Sequence, residues 1–133
     1  MNLGHWQYTG EWPTDCFGFI YQITNNQTNM KYIGKKQVRK VLKRAPLKGK
    51  KNKRHVITES DWKVYTGSCN LLNEHIEQLG KDNFTFEVLR LCNSKWELAY
   101  YEAELQFGLK VLLSGDYYNG IINCRIGKKP LDR

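Results

Sequence analysis

Two short segments near the start of the chain, both rich in β-branched and aromatic residues, constrain its fold more than any other feature. Gly18–Thr24 and Met30–Gly34 each have the composition of a β-strand. The residues between them, Asn25–Asn29, are polar turn formers. A strand, a short turn and a second strand in succession predict a β-hairpin, so the fold contains an antiparallel sheet.

The rest of the chain alternates helical and extended patterns. Apolar spacing predicts a helix in the middle of the chain, followed by a third strand over Phe84–Leu91. Ser94 and Glu97 form a capping box, which opens a longer helix that we expect to run to about Leu113. The apolar segment Ile121–Ile126 is expected to form a last strand. This order predicts an α+β fold, a small antiparallel β-sheet of about three to four strands flanked by helices.

The length and composition suit one domain. The chain has 133 residues, of which 41% are hydrophobic, which is enough for a single core over residues 1–133. Residues 1–16 are polar and aromatic, and we expect them to form an N-terminal arm on the surface of the domain. Residues 35–56 differ in composition from their surroundings and are interpreted as a basic insertion.

Lysine and arginine are concentrated in that insertion. Lys35–Arg54 holds eleven of the 21 basic residues and no acidic residue, in a chain of net charge +8. The first half has a sparse helical stripe, and the second half has the composition of a loop. A run of basic residues is often simply a solvated surface. Here the lack of acidic residues favours a phosphate-binding patch. The candidate nucleic-acid-binding residues are Lys35, Lys36, Arg39, Lys43, Arg44, Lys50, Lys51 and Lys53.

The cysteines and the apolar segments exclude other classes of protein. None of the four cysteines is spaced as in a C-x-x-C metal motif, so free thiols are expected rather than a structural zinc. No apolar run approaches the length of a membrane span. Scattered cysteines without a secretory leader indicate a reducing compartment, and we expect the protein in the cytoplasm.

The predicted hairpin also carries a pair of related motifs. Gly18-Phe-Ile-Tyr21 is followed, eleven residues after its tyrosine, by Tyr32-Ile-Gly34. Glu97-Leu-Ala-Tyr-Tyr-Glu102 and Tyr118-Asn119 come later in the chain. In this order the motifs resemble those of the GIY-YIG nuclease superfamily, with a phenylalanine inserted after the first glycine. Glu59–Ser68 is similar to the matching part of small stand-alone members carried by tailed bacteriophages, for which the compartment would be the host cytoplasm.

The resemblance implies a set of catalytic residues. They are Tyr21, Tyr32, Arg54, Glu102 and Asn119. Two positions stay open. Arg44 is an alternative to Arg54, because the basic insertion complicates the count from the second tyrosine, and Glu104 is a lesser alternative to Glu102.

Each implied residue suits a part of phosphodiester hydrolysis. Glu102 would bind Mg²⁺ or Mn²⁺, and such a cation needs only one or two carboxylates besides water. Arg54 would hold the non-bridging phosphate oxygens with its planar donors. Asn119 would support the geometry through hydrogen bonds that hold the phenol and the strand ends in place.

The tyrosines have two possible roles. Tyr21 or Tyr32 would orient the attacking water or accept its proton. Ionising a phenol of ordinary pKa at pH 7 costs about 4 kcal/mol. A base role therefore requires nearby positive charge, and the adjacent Lys35 and Lys36 together with the metal would supply it.

The resemblance thus implies a metal-dependent endonuclease that hydrolyses double- or single-stranded DNA, as a monomer or a homodimer. Two other functions fit the composition. One is a non-catalytic nucleic-acid-binding protein with a nuclease fold, and the other is a phage accessory protein that binds a host protein. The presence of all four motif residues, Tyr21, Tyr32, Glu102 and Asn119, argues against a decayed site.

Overall fold

A computed structural model describes residues 2–131, without the side chains of residues 42–44. In that part of the chain the elements are β1 (Gly18–Asn25), β2 (Lys31–Gln37), β3 (Arg39–Arg44), β4 (Arg54–Glu59), α1 (Asn70–Leu79), β5 (Phe84–Cys92) and α2 (Lys95–Gly108). One-turn 3₁₀ helices at Trp62–Val64 and Lys81–Asn83 precede α1 and β5. Neither α1 nor α2 has the length and apolarity needed to cross a membrane.

The predicted hairpin is confirmed, and it forms most of the main sheet. β1 lies between β2 and β5 in a three-stranded antiparallel sheet, with Tyr21 opposite Gly34. Alternate residues of β1 enter two different cores, as the period of a strand requires. Phe19, Tyr21 and Ile23 pack on one face, and Ile20 packs on the other. β1 is therefore buried on both faces, and the α+β class predicted from the sequence is confirmed.

The N-terminal arm is more deeply embedded than the sequence predicted. Trp6 is only 4% exposed and packs in the core beside Phe19 and Tyr21. The backbone of Gln7 accepts from Val88 N at 3.0 Å and donates to Phe86 O at 2.8 Å. The indole of Trp6 buries a large apolar surface and so holds the arm in place. The arm in turn covers the outer edge of β5.

The basic insertion forms strands where the sequence predicted a helix, whereas the predicted loop is present between β3 and β4. Residues 35–37 belong to β2, and β3 pairs with β4 in a two-stranded antiparallel sheet, called here the ribbon. Arg39 lies opposite Glu59 at one end, and Arg44 lies opposite Arg54 at the other. The helical stripe was sparse, and the β-branched residues of this segment pair across strands, which a single segment does not reveal.

α2 ends at Gly108 rather than near Leu113. Lys110 has a left-handed φ of 56°, and its N–H donates to Phe107 O at 3.1 Å. The next amide, that of Val111, donates to Gln106 O at 3.2 Å. This is a Schellman ending, and it turns the chain so that Val111 enters the core at 1% exposure.

The strand predicted over Ile121–Ile126 is not present in the described structure. The chain instead pairs with the outer edge of β2 a few residues earlier. Lys31 N donates to Asp116 O at 2.9 Å, and Tyr118 N donates to Lys31 O at 2.7 Å. Apolar composition alone did not distinguish a strand from this short bridge, which brings Asn119 next to β2.

Candidate active site

Residues from the hairpin, the loop before α1 and helix α2 surround one pocket of ≈ 290 Å³, called here the tyrosine pocket. Its lining is Tyr21, Tyr32, Lys35, Tyr65, Ser68, Glu102, Gln106, Ile121 and Asn123. Three predicted catalytic residues, Tyr21, Tyr32 and Glu102, are therefore brought together. The antiparallel pairing of β1 with β2 aligns the two tyrosines, and the packing of α2 adds the carboxylate.

The hydroxyl of Tyr21 reaches the pocket through a gap left by two glycines. Tyr21 is 1% exposed, and Gly34 faces it across the sheet. A Cβ at Gly34 would lie 2.4 Å from Tyr21 Oη and 2.6 Å from Cζ. A Cβ at Gly67, where φ is +87°, would lie 3.3 Å from the same Oη. The path of this phenol therefore depends on glycine at both positions.

Tyr32 lies beside Tyr21, with 6.2 Å between their ring centroids. Its hydroxyl is 3.4 Å from Ser68 Oγ, in the loop before α1. Burial is the main cause that raises the pKa of Tyr32, and the hydrogen bond to Ser68 acts in the opposite direction. Burial raises the pKa of Tyr21 well above its usual range, and the neighbouring phenols and Glu102 add to the effect. Both phenols are therefore neutral at pH 7.

Glu102 places a carboxylate in the same pocket. Its side chain is 13% exposed, and Lys35 Nζ lies 3.7 Å from Oε1. Burial raises the pKa of Glu102, and the charge of Lys35 partly offsets that rise. Glu104, the alternative residue, is exposed and borders a separate cavity beside Phe107. Of the two glutamates, Glu102 is the one that lines the tyrosine pocket.

Gln106 adds a buried oxygen one helical turn after Glu102. The residue is 5% exposed, and its Nε2 donates to Ile33 O at 2.9 Å. This bond fixes the orientation of the amide, because the carbonyl of Ile33 can only accept. Gln106 Oε1 is then left buried without a hydrogen-bond partner among residues 2–131. An acceptor in this state is costly unless water or a cation satisfies it.

Glu102 and Gln106 are the pocket residues whose side-chain oxygens could hold a hard cation. Mg²⁺ binds oxygen ligands and keeps several waters, so one carboxylate with an amide oxygen nearby is adequate. The described residues contain no cluster of three or more histidine, cysteine, aspartate or glutamate side chains. A cation held here would therefore be coordinated largely by water and substrate oxygens.

Asn119 does not line the pocket, but it fixes the strand that does. Its Oδ1 accepts from Ile33 N at 3.0 Å, and its Nδ2 donates to Ile33 O at 2.8 Å. Ile33 stands between Tyr32 and Gly34, so this pair of bonds holds the backbone at the centre of the second motif. Asn119 is 8% exposed, which protects both bonds from water.

The structure does not bring Arg54 to the tyrosine pocket. Arg54 lies at the outer end of β4, where its Nε donates to Ala45 O at 3.3 Å. Five residues of strand, about 16 Å, separate it from Glu59 at the base of the ribbon. Arg54 was favoured by counting residues along the sequence, and that count did not allow for the ribbon. The ribbon places Arg54 away from the hairpin. The backbone of Arg44 lies opposite Arg54, and its side chain is outside the described residues.

The predicted nucleic-acid-binding residues have different environments. Lys36 Nζ is 2.7 Å from Asp61 Oδ1, and Arg39 donates to the backbone oxygen of Thr14, so both have internal partners. Lys35 lines the tyrosine pocket. The loop between β3 and β4 exposes Lys50, Lys51 and Lys53. The side chains of Lys43 and Arg44 lie outside the described part of the chain.

Sequence reasoning missed several residues of the pocket. Tyr65 and Ser68 come from the loop before α1, and Gln106 follows Glu102 on α2. The spacing Tyr65-x-Gly67-Ser68 was visible in the sequence, but nothing in it showed which core the loop would face. The role of Gln106 had no signal in the sequence, because glutamine in a helix is most often solvated.

The chain was also compared with known proteins. A family model described as "Putative endonuclease segE, GIY-YIG domain" matches residues 4–122. This range includes both strands of the hairpin, all of α2 and Asn119. The comparisons with curated proteins and with solved structures gave no match.

Proposed function

The chain belongs to the GIY-YIG endonuclease domain family, and from this we propose that it is a metal-dependent DNA endonuclease that hydrolyses phosphodiester bonds in the tyrosine pocket. One observation carries the proposal. Tyr21, Tyr32 and Glu102, from three separate elements, line the same pocket together with a lysine. A phosphodiester in the pocket would meet groups able to bind its charge and to orient a water.

Glu102 and Gln106 are the residues that would hold Mg²⁺ or Mn²⁺. Bound there, the cation would polarise the phosphate and stabilise the leaving oxygen. Glu102 contributes the negative charge, and Gln106 Oε1 contributes an acceptor that has no other partner among the described residues. The amide can act directly on the cation or through one of its waters.

Lys35 replaces the arginine that the sequence analysis placed in the site. Its ammonium group is 3.7 Å from Glu102, and its side chain is 42% exposed, so it can move toward a phosphate oxygen. A lysine binds phosphate as a point charge, without the paired donors of arginine. In this proposal Lys35 neutralises Glu102 in the free protein and binds the substrate phosphate during the reaction.

The phenols orient the water instead of removing its proton. Burial raises the pKa of both tyrosines, which makes a phenolate costly at neutral pH. Lys35 and Lys36 do not remove that cost, because their ammonium groups lie beside Glu102 and Asp61. A neutral hydroxyl still donates and accepts hydrogen bonds, which is sufficient to fix the position of a water.

The pH dependence of cleavage follows from these pKa directions. At limiting Mg²⁺ the rate should rise with pH through a midpoint above 4.5, the ordinary pKa of glutamate, because burial delays ionisation of Glu102. No further rise from a phenol is expected on the approach to pH ~10. The measurement is a pH–rate profile of the wild type and of Tyr21→Phe and Tyr32→Phe. An additional alkaline rise that either substitution removes would show a phenolate base and contradict the assignment.

The proposed activity is tested with supercoiled plasmid. We expect cleavage with Mg²⁺ or Mn²⁺ and none with EDTA. Nicked circles should appear before linear DNA, since one small pocket cuts one strand at a time. Linear product without a nicked intermediate would indicate paired sites in a homodimer. Binding of DNA without cleavage under any of these metals would refute the nuclease and favour the non-catalytic nucleic-acid-binding protein.

A further inference from the structure

We infer that the ribbon is a docking surface for duplex DNA that lies in the major groove, and that one basic track connects it to the tyrosine pocket. The track has three parts, namely the pocket, a neighbouring cleft and the ribbon. The inference rests on the proposed nuclease function, because the tyrosine pocket fixes where the cut strand lies and therefore the direction in which the track runs.

The neighbouring cleft, called here the lysine cleft, has a volume of ≈ 290 Å³. Its lining is Lys35, Lys36, Gln37, Lys40, Ser60, Lys95 and Leu98, which includes four lysines and no acidic residue. Lys35 also lines the tyrosine pocket, so the two cavities adjoin. Lys95 comes from the first turn of α2, far from the basic insertion in sequence. Lys35 and Lys36 have carboxylate partners in Glu102 and Asp61, so the charge that this cleft offers to the next phosphate of the same strand comes mainly from Lys40 and Lys95.

The ribbon continues the track away from the domain. At its base Ser60 N donates to Val38 O at 2.8 Å, and Val38 is buried in the main core. Beyond this point residues 39–58 contain nine lysines and arginines and no acid. Six paired residues in each strand give a length of about 20 Å. The major groove of DNA is about 12 Å wide and admits a two-stranded ribbon.

One face of the ribbon presents apolar groups that the fold does not use. Val41 lies opposite Ile57, and the two residues are 60% and 70% exposed. Exposed β-branched side chains in a segment that holds nine lysines and arginines over residues 39–58 are poorly explained by solubility or by folding. In the major groove they would contact the methyl groups of thymine, while the lysines of the loop contact phosphates on either side.

Other nucleic acids fit this surface less well. Proteins that hold single strands stack bases on aromatic side chains, and residues 39–59 contain no phenylalanine, tyrosine or tryptophan. Double-helical RNA has a major groove too deep and narrow for side chains to enter. The charge, the shape and the composition of the ribbon therefore agree on duplex DNA.

Binding is measured by fluorescence anisotropy with the full chain in EDTA, so that no cutting is needed. The probes are a short DNA duplex, one of its strands, and an RNA duplex of the same sequence. We expect the DNA duplex to bind at least about tenfold more tightly than either of the others. Equal affinity for the single strand or for the RNA duplex would overturn the inference.

Two pairs of substitutions separate the phosphate contacts from the groove contacts. Lys50→Glu with Lys51→Glu should reduce the slope of log affinity against log salt by about 1.8, or about 0.9 for each lost phosphate contact. Val41→Ser with Ile57→Ser should weaken duplex binding about tenfold and leave that slope unchanged. We expect each variant to stay folded, because all four side chains are exposed. Thermal unfolding checks this.

The matched control is Lys81→Glu with Lys110→Glu. Both lysines are exposed and lie at the end of the sheet away from the ribbon, so this pair should leave both the duplex affinity and the slope unchanged. If either pair of ribbon substitutions leaves binding unchanged, as the control does, the ribbon is not part of the track. Loss of the duplex preference with intact metal-dependent cleavage would refute only the track. An intact preference without cleavage would refute only the nuclease.

Discussion

Replacing Glu102 by glutamine is expected to lower metal-dependent cleavage by about a thousandfold, since a bound metal supplies several kcal/mol and each tenfold in rate is about 1.4 kcal/mol. Glutamine keeps the size of the side chain and removes its charge. The rate on supercoiled plasmid at saturating Mg²⁺ measures the effect. Calorimetric titration with Mn²⁺ gives a second measurement that does not depend on turnover, and binding should weaken in parallel.

The same substitution should not destabilise the fold at neutral pH. Burial raises the pKa of Glu102, so its contribution to stability is present below the pKa of the unfolded chain and is lost as pH rises through the folded value. At pH 7 the wild type therefore bears the cost of a buried charge that glutamine lacks. Lys35, at 42% exposure, is hydrated when its partner is removed. We expect a Tm equal to that of the wild type or higher.

Glu104→Gln is the matched control, because Glu104 is exposed on the same helix and outside the tyrosine pocket. It should leave both the rate and Mn²⁺ binding unchanged. If Glu104→Gln abolishes cleavage while Glu102→Gln cuts at the wild-type rate, the assignment of the carboxylate is wrong.

Replacing Gly34 by alanine should reduce cleavage by about a hundredfold, the usual effect of displacing a catalytic group by about 1 Å. The added Cβ would lie 2.4 Å from Tyr21 Oη, a distance that real contacts do not allow. β1 and β2 are paired at this position and cannot separate easily, so the ring of Tyr21 has to move. Overpacking of this kind also lowers the free energy of unfolding by about 1–3 kcal/mol.

Gly108→Ala separates this effect from the general consequences of losing a glycine. Gly108 is the last residue of α2, and an added Cβ would meet no atom within 4 Å. Alanine there should raise the free energy of unfolding by up to about 1 kcal/mol and leave the rate unchanged. Plasmid cleavage and urea denaturation measure both variants. Wild-type rate and stability for Gly34→Ala would contradict the packing described for Tyr21.

The parts of the fold that sequence predicted correctly are specified by local interactions. The turn residues between β1 and β2 define the hairpin over a few positions. The predicted N-cap at Ser94 is present, and its Oγ accepts from Glu97 N at 3.1 Å. Each of these features is formed by residues close in sequence, so composition and spacing were sufficient to identify it.

The parts that sequence did not predict depend on contacts between distant segments. The ribbon requires β3 to pair with β4 across a loop, and the spacing within β3 alone suggested a helix. Lys35 meets Glu102 only because α2 packs against β2. The arginine was misplaced for the same reason, since its position depends on how the chain between Lys36 and Trp62 is folded.

The bonds from Asn119 to Ile33 have a consequence for the order in which the protein is made. A ribosome completes the hairpin long before it reaches the segment that clamps β2 from outside. Until that segment emerges, the nascent chain has two phenols on a strand pair with an unsupported edge. The tyrosine pocket is thus completed only after α2 and the segment around Asn119 have been synthesised, well after both strands of the hairpin.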